Sequence, residues 1–307
     1  DDPTTYKAPD LKGYWGGFAS DVEDGGHGYL VPYNNGDYFG KVVQFNLSSF
    51  SVVEWATCSY LDAKGFQGGF QDGRFGYLVP HQYGRVVRFY LRAFQNVHSS
   101  FPDKMNCESL NLLDTASDLK GFTGGFHDGV HGYLVPNEID GVKVGKVARF
   151  DLDTFSSVSV LDLTAIDADL KGFADGFHDG TYGYLVPNDN GAKFGKVVRF
   201  DLATFSQVSV LDLTTTNAAL KGDVSVNEFS TMSFWGPGFR DGNYGYLVPD
   251  DAGIAARFYL YKLTTTTTLT TVTGTKPALV SSAARAQLLG ILVLSFLLHL
   301  PNRVCIS

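Results

Sequence analysis

The stretch LKGFTGGFHDGVHGYLVPNEIDGVKVGKVARFDLDTFSSVSVLDLT runs from Leu119 to Thr164, and LKGFADGFHDGTYGYLVPNDNGAKFGKVVRFDLATFSQVSVLDLT repeats it from Leu170 to Thr214. Identity of that extent is not chance. Working outward, the string GYLVP recurs five times, starting at Gly28, Gly76, Gly132, Gly183 and Gly245, at spacings of 48 to 62 residues. A fixed period of this size means one supersecondary unit per repeat, stacked on its neighbours to bury a continuous core.

Each repeat reads as four short strands. The first is the FxGGF run, Phe122 to Phe126 in the third copy. Asp128-Gly129 follows, a hairpin signal because both turn positions tolerate positive φ. GYLVP is the second strand, an apolar run ended by Pro, which cannot donate to a ladder. After a polar loop come KVxRFDL, alternating with period two, and SVSVLDLT, which also alternates. No segment shows a helical period. Four strands per repeat of about 50 residues predict an all-β chain folded as a β-propeller of five four-stranded blades. Gly-Gly lets backbones crowd near an axis, so FxGGF is placed innermost and SVSVLDLT outermost. The expected boundaries are an N-terminal extension over 1–9, a propeller over 10–274 with blades at about 11–60, 61–116, 117–167, 168–217 and 218–274, and a linker and hydrophobic tail over 275–307. The last outer strand is expected in the Thr-rich run Thr264 to Val272. Two stretches read as inserts, Ser99 to Leu113 and Asp223 to Ser233.

The order of inner strand, Asp128-Gly129, Tyr133-Leu134-Val135, polar loop, and Val147 through Thr154 resembles the YVTN-type propeller repeat, in which a DGxxxYVxN stretch precedes a VxVxDxxT stretch. The resemblance covers all five repeats. Pro136 stands near where that family often has Asn, and the repeat is longer than the family's. There is no WD dipeptide and no kelch-type downstream Trp. The resemblance implies the fold; it carries no function, because propellers host binding scaffolds, lectins and enzymes alike.

The 307 residues carry a net charge of −8, with 24 Lys+Arg against 32 Asp+Glu. That speaks against a nucleic-acid partner, which clustered Lys and Arg would be needed to hold. Charged residues are 18% and aromatics 14%, which is not a disordered composition. Cys58, Cys107 and Cys305 are far apart and odd in number, with no zinc or CxxC spacing, and predict no disulfide framework.

The turn aspartates Asp24, Asp72, Asp128, Asp179 and Asp241 recur in every copy. A repeated carboxylate invites calcium or catalysis, but five identical tight turns demand five identical Asp-Gly pairs, so the structural reading leads; calcium is the one cofactor left open. The third strands pair Arg149 with Asp151 and Arg199 with Asp201 two residues apart on one face, and mutual contact is expected. The best candidate for a binding face is where the Lys before each first strand (Lys12, Lys64, Lys120, Lys171, Lys221) meets nearby aromatics (Tyr14, Phe122, Phe173) and the second-to-third-strand loops bearing Asn34, Asn137, Asn188 and Asp250, although the leading reading is that Lys-Gly only turns the chain between blades and the loops are solvated. Amides, carboxylates and rings together suit a sugar. The histidines gather no three-ligand set, so no metal centre is expected. No nucleophile elbow or phosphate-cradling loop occurs. Repetition favours binding over catalysis. An active site would sit in the asymmetric inserts, with Asp103, Cys107, Glu108, Asn227 and Glu228.

After Leu263 the chain turns Thr-rich, then small, then apolar from Leu288 to Leu300. This order resembles a glycolipid-anchor signal, and residues 278–300 give a possible membrane attachment. The chain begins at Asp1 with no visible signal peptide, so a removed leader or a piece of a longer protein is expected. Asn46-Leu47-Ser48 is a glycosylation sequon. Together these predict a secreted or cell-surface binding module for a glycan or protein ligand. The alternatives are a glycoside-processing hydrolase with carboxylates in the funnel, and a passive protein-interaction scaffold.

Overall fold

The computed structural model describes residues 12–20, 26–49, 52–58, 64–91, 107–192, 194–215, 238–241, 244–247, 254–260 and 270–273. Chain contacts divide into one unit over 1–272 and another over 273–307. The expectations for the 1–9 extension, Asp24, Asp103, Lys221, Asn227, Glu228, Asp250 and the 278–300 tail lie outside the described residues. Among the described residues no helix is long and apolar enough to cross a membrane.

The strands pair in sequence order. Strands β1 (Tyr14–Ala19), β2 (His27–Pro32), β3 (Lys41–Asn46) and β4 (Val52–Thr57) make the first sheet, and β5 (Phe66–Gln71), β6 (Phe75–Pro80), β7 (Arg85–Tyr90) and β8 (Cys107–Asn111) the second. The third holds β9 (Phe122–His127), β10 (His131–Pro136), β13 (Lys146–Asp151) and β14 (Ser156–Asp162), with a two-stranded ribbon of β11 (Glu138–Ile139) and β12 (Val142–Lys143) in its loop. The fourth is β15 (Phe173–His178), β16 (Tyr182–Pro187), β17 (Lys196–Asp201) and β18 (Ser206–Asp212). The fifth is β19 (Gly238–Asp241), β20 (Tyr244–Leu247), β21 (Ile254–Tyr259) and β22 (Thr270–Thr273). Neighbouring strands in the four-stranded sheets are antiparallel where their register is given, as in β13 on β14, with Val147 opposite Leu161.

Two details of the strand layout add to or differ from the sequence reading. Cys107–Asn111 is not part of an insert but the fourth strand of the second sheet, with Val86 opposite Leu110 and Arg88 opposite Glu108. CESLN lacks the SVSVLDLT pattern, so the pairing is set by β7 and not by a repeated motif. The loop after β10 is not wholly irregular. Asp140 and Gly141, at φ 50° and 79°, turn β11 into β12, and two positive-φ central residues are what a type I′ hairpin requires.

Successive sheets pack first strand to first strand: β1 on β5, β5 on β9, β9 on β15 and β15 on β19. The approach is backbone to backbone at the Gly-Gly step. A Cβ on Gly68 would lie 2.7 Å from the Gly124 nitrogen, so any side chain there would force the sheets apart.

Burial explains why GYLVP reads as continuously apolar. Each inner sheet is covered on both faces, so both sets of alternating side chains need apolar partners. Leu134, Ala148 and Phe150 of the third sheet pack with Phe70, Tyr77 and Val79 of the second. Tyr133, Val135 and Val147, pointing the other way, pack with Leu185, Val198 and Phe200 of the fourth. Each fully buried Phe or Tyr contributes about 1.5–3 kcal/mol by area. Ring geometry is repeated as well: Phe126 stacks on Tyr133 at 5.0 Å, and Phe70 on Tyr77 at 4.8 Å.

Polar groups tie the same joints. Asp128 Oδ1 accepts the N–H groups of Val130 and His131 at 2.8 and 2.7 Å, and Oδ2 accepts the Tyr133 hydroxyl at 2.7 Å. Asp72 with Tyr77 and Asp179 with Tyr184 do the same. Burial works against the Asp128 carboxylate, but the His131 N–H, the Tyr133 hydroxyl and the Val130 N–H outweigh it and hold the group below its ordinary pKa. Tyr133→Phe is expected to lower stability by about 1–2 kcal/mol, read as a shift in the urea midpoint at unchanged slope.

The expected Arg–Asp contact on the third strands does not form. Arg149 Nη1 donates to the Leu202 carbonyl of the next sheet at 3.1 Å, and its guanidinium lies 4.5 Å from the Phe205 ring. Arg199 reaches the Leu260 carbonyl in the same way. Asp151 instead accepts from the N–H and hydroxyl of Thr154, both at 2.7 Å, closing its own turn. A side chain long enough to bridge sheets finds a carbonyl there, while the short carboxylate serves the nearest N–H groups.

Cys58, the residue after β4, and Cys107, the first residue of β8, form a disulfide that joins the outer edges of the first two sheets, with Cα atoms 5.8 Å apart. This corrects the expectation of no disulfide framework. Forty-nine residues separate the two cysteines, and only sheet packing brings them together. Glu108, weighed above as a possible active-site group, accepts from Arg88 Nε and Nη2 at 3.0 and 2.7 Å. Arg88 also donates to the Leu152 carbonyl and lies between the Phe75 and Phe155 rings.

Candidate functional site

The start of each first strand and the loop after each second strand share one end of their sheet. Glycines stitch them together. Gly121 donates to the His81 carbonyl of the preceding loop at 2.7 Å and accepts from the Asn137 N–H at 2.8 Å. Gly172 likewise donates to Val144 and accepts from Asp189. Gly121 holds φ 75°, and a Cβ there would lie 2.5 Å from the Glu138 carbonyl oxygen. The recurring Lys-Gly pair is therefore a joint between loops of adjacent sheets.

Several expected ligand-binding residues are spent on that joint or on the core. Phe122 and Phe173 are 1% and 0% exposed and lie among the inter-sheet apolar clusters; neither ring face is available to a ligand. Asn137 is 8% exposed and donates through Nδ2 to the Phe173 carbonyl at 2.6 Å, so its amide links the third sheet to the fourth. Tyr14 is half-buried, edge-on to Phe39 at 5.2 Å. Asn34 is half-buried with its side-chain oxygen accepting the Gly36 N–H. Asn188, Lys120 and Lys171 are half-buried, and Lys12 is exposed. Lys64 lies over the Tyr83 ring at 5.4 Å.

The same end of the first two sheets carries an aromatic cluster that sequence reasoning missed. Trp15 meets Tyr33 edge-on at 5.6 Å; Tyr33 meets Tyr38 at 5.6 Å and His81 at 5.5 Å; Tyr38 meets Tyr83 at 5.6 Å. Trp15 is 38% and Tyr83 39% exposed, which is high for rings of this size. Edge-to-face packing fixes their orientation and adds about 0.5–1.5 kcal/mol per pair. These rings stand outside the repeated positions: Trp15 falls where other first strands have Gln67, Thr123 and Ala174. An excess of aromatics in the first two loops was the available signal.

Polar contacts extend the surface across four sheets. The Tyr38 hydroxyl donates to Gln82 Oε1 at 3.2 Å, and Gln82 Nε2 to Asp140 Oδ1 at 3.5 Å. Lys143 of the β11–β12 ribbon pairs with Glu138 at 2.5 Å and Asp189 at 3.5 Å. Burial pushes the Tyr33 hydroxyl up to about 12, with Tyr38, Glu138 and Asp140 adding to it. Burial pushes His81 below its usual value, so the imidazole is neutral at physiological pH. The arrangement offers fixed ring faces beside amide, hydroxyl and carboxylate groups.

The inner strands hold one further asymmetry. Gly16, Gly68 and Gly124 occupy the third position of the first three inner strands, and Asp175 takes it in the fourth. Asp175 Oδ1 accepts the Gly176 N–H at 2.8 Å and lies where a Cβ on Gly124 would clash, at 2.4 Å. Burial raises this carboxyl to about 7, the Gly176 N–H opposing. The change from FTGGF to FADGF was visible in the repeat. A two-carboxylate hydrolytic site would need a second acid beside it, and the described inner strands put a single one at the glycine position. Among the described residues no group of three His, Cys, Asp or Glu could hold a metal ion.

No protein-family model matches the chain. No curated protein sequence matches it either. Among solved structures it is similar to a chain in the crystal structure of a nidogen/laminin complex, with a TM-score of 0.50 and 11% identity over 83% of this chain and 79% of that one. A protein of Bacteroides uniformis assigned as a 6-phosphogluconolactonase aligns with a TM-score of 0.48 and 15% identity, over 79% of this chain and 66% of that one. At these identities the first likeness speaks to fold alone. With the antiparallel sheets packed inner strand to inner strand, it supports an all-β, propeller-like architecture.

Proposed function

We propose that this protein is an exported, non-catalytic binding module, built as a five-bladed propeller, that holds its ligand against the Trp15, Tyr33, Tyr38 and Tyr83 cluster. The observation carrying the proposal is the two exposed rings, Trp15 held edge-to-face by Tyr33 and Tyr83 by Tyr38, at an end where the loops of four sheets are cross-linked. A glycan suits this surface: ring faces take the apolar face of a sugar, while Gln82, Asp140 and Glu138 offer partners for hydroxyls. The disulfide between Cys58 and Cys107 supports export, since such bridges persist in oxidising compartments.

The test is a glycan array probed with the full chain, with and without calcium. Binding to a defined sugar is expected, weakened about tenfold by Trp15→Ala or Tyr83→Ala, as for loss of one anchor ring. Asn137→Ala is expected to lower stability by about 1 kcal/mol through its lost bond to Phe173, with affinity unchanged. Array silence from folded protein would overturn the glycan reading. The second reading is a protein ligand at the same cluster, favoured by the fold neighbour found in a protein–protein complex. The same two ring variants would then weaken that partner.

A further inference from the structure

The turn between β3 and β4 begins at Asn46, in Asn46-Leu47-Ser48. In the third and fourth sheets the same position is Asp151 and Asp201, each using one carboxylate oxygen to accept the N–H and hydroxyl of Thr154 or Thr204. Asn46 reproduces this cap through Oδ1, which accepts the Ser48 and Ser49 N–H groups at 2.9 Å each and the Ser49 hydroxyl at 3.1 Å. The turn thus needs only an acceptor oxygen, and Asp serves in two other sheets. Asn in the first sheet adds an Nδ2 group that the cap does not use; among the described residues it donates to nothing. Leu47, Ser48 and Ser49 are exposed. The Leu47 N–H donates to the Gly26 carbonyl, which sets this turn at the end of the sheet away from the β2–β3 loop and its aromatic cluster.

We infer that Asn46 is an N-glycan acceptor, modified on the end of the first sheet opposite the aromatic face. The inference rests on export, part of the function proposed above, and not on the ligand. In the transfer, Nδ2 attacks C1 of a lipid-pyrophosphate-linked oligosaccharide. The N–C1 bond forms, the C1–O bond to the pyrophosphate breaks, Nδ2 gives up one proton, and the lipid pyrophosphate departs. Oδ1 keeps its three bonds, so the folded turn needs no rearrangement to carry a bulky, solubilising group. A glycan here leaves Trp15 and Tyr83 uncovered.

The experiment is secretion of the full chain behind a leader from a eukaryotic host, followed by peptide mass mapping without reduction. The expected result is added mass on the Asn46 peptide, lost on enzymatic deglycosylation with Asp left at position 46. Asn46→Asp, which keeps the cap as the other sheets do, and Ser48→Ala, which keeps Oδ1 and both N–H groups, should each abolish the added mass while the protein still folds. An unmodified Asn46 in protein whose Cys58–Cys107 bridge has formed overturns the inference. Glycosylated protein lacking the bridge supports it and counts instead against the oxidising-compartment reading of the cysteines.

Discussion

Asp175→Asn protein is expected to be more stable than the wild type at pH 8, by at most about 4 kcal/mol because the residue is only half-buried, and to lose that margin by pH 4. The folded carboxyl is raised to about 7 from an ordinary 3.8 by burial among inner strands. Between those values the folded chain holds a proton that the unfolded chain has released. Stability therefore falls as pH rises through this window and levels off above it, at about 1.4 kcal/mol per pH unit. Asn keeps the oxygen that accepts the Gly176 N–H and has no proton to lose. Other carboxylates work in the opposite sense. Asp151, Asp167 and Asp201, lowered mainly by bonds to Thr154, Lys196 and Thr204, stabilise at neutral pH and lose that as pH falls through their depressed values. The informative quantity is thus the difference between the two proteins, from urea unfolding at pH 4, 6 and 8. Parallel curves would show that the Asp175 carboxyl is solvated and titrates normally.

Removing the Cys58–Cys107 bridge is expected to cost about 4 kcal/mol, the loop-closure entropy of the chain between residues 49 apart. Both residues are nearly fully buried. The Cys58→Ala, Cys107→Ala double variant therefore leaves no unpaired polar group, and the loss reports mainly on the cross-link. The wild type treated with reductant should fall to the stability of that variant, and the variant should not respond. A reductant-insensitive wild type would mean that the thiols are unbridged in solution, removing the support they lend to export.

Strands and turns were largely legible in the chain because their causes are local. Asp128-Gly129 makes a tight turn wherever it occurs, and period-two alternation in KVARFD selects a strand before any partner is known. The innermost place of FTGGF followed from the volume a glycine lacks. The fourth strand of the second sheet was misplaced because CESLN carries no repeated motif, and its pairing with β7 depends on what β7 leaves open.

The candidate site was less legible. The search for it followed repeated residues, and repetition marks what every sheet needs: Phe122 and Phe173 for inter-sheet packing, the Lys-Gly pair for the loop joint. A position that recurs in all copies is more often solving a shared packing problem than presenting a ligand group. The exposed rings and Asp175 are departures from the repeat, visible in the sequence once departures are weighed above recurrences.

The amino-acid order alone carried the repeat, the strand order within a sheet, the turn chemistry and the acidic balance. All of these rest on backbone hydrogen bonding and steric limits that act over a few residues. The cysteine pairing, the convergence of Trp15, Tyr33, Tyr38 and Tyr83, the reach of Arg149 to Leu202 and the burial that raises Asp175 came from packing one sheet against the next. Those contacts join residues tens of positions apart, and their geometry follows from side chains filling a shared interior, which no local pattern encodes.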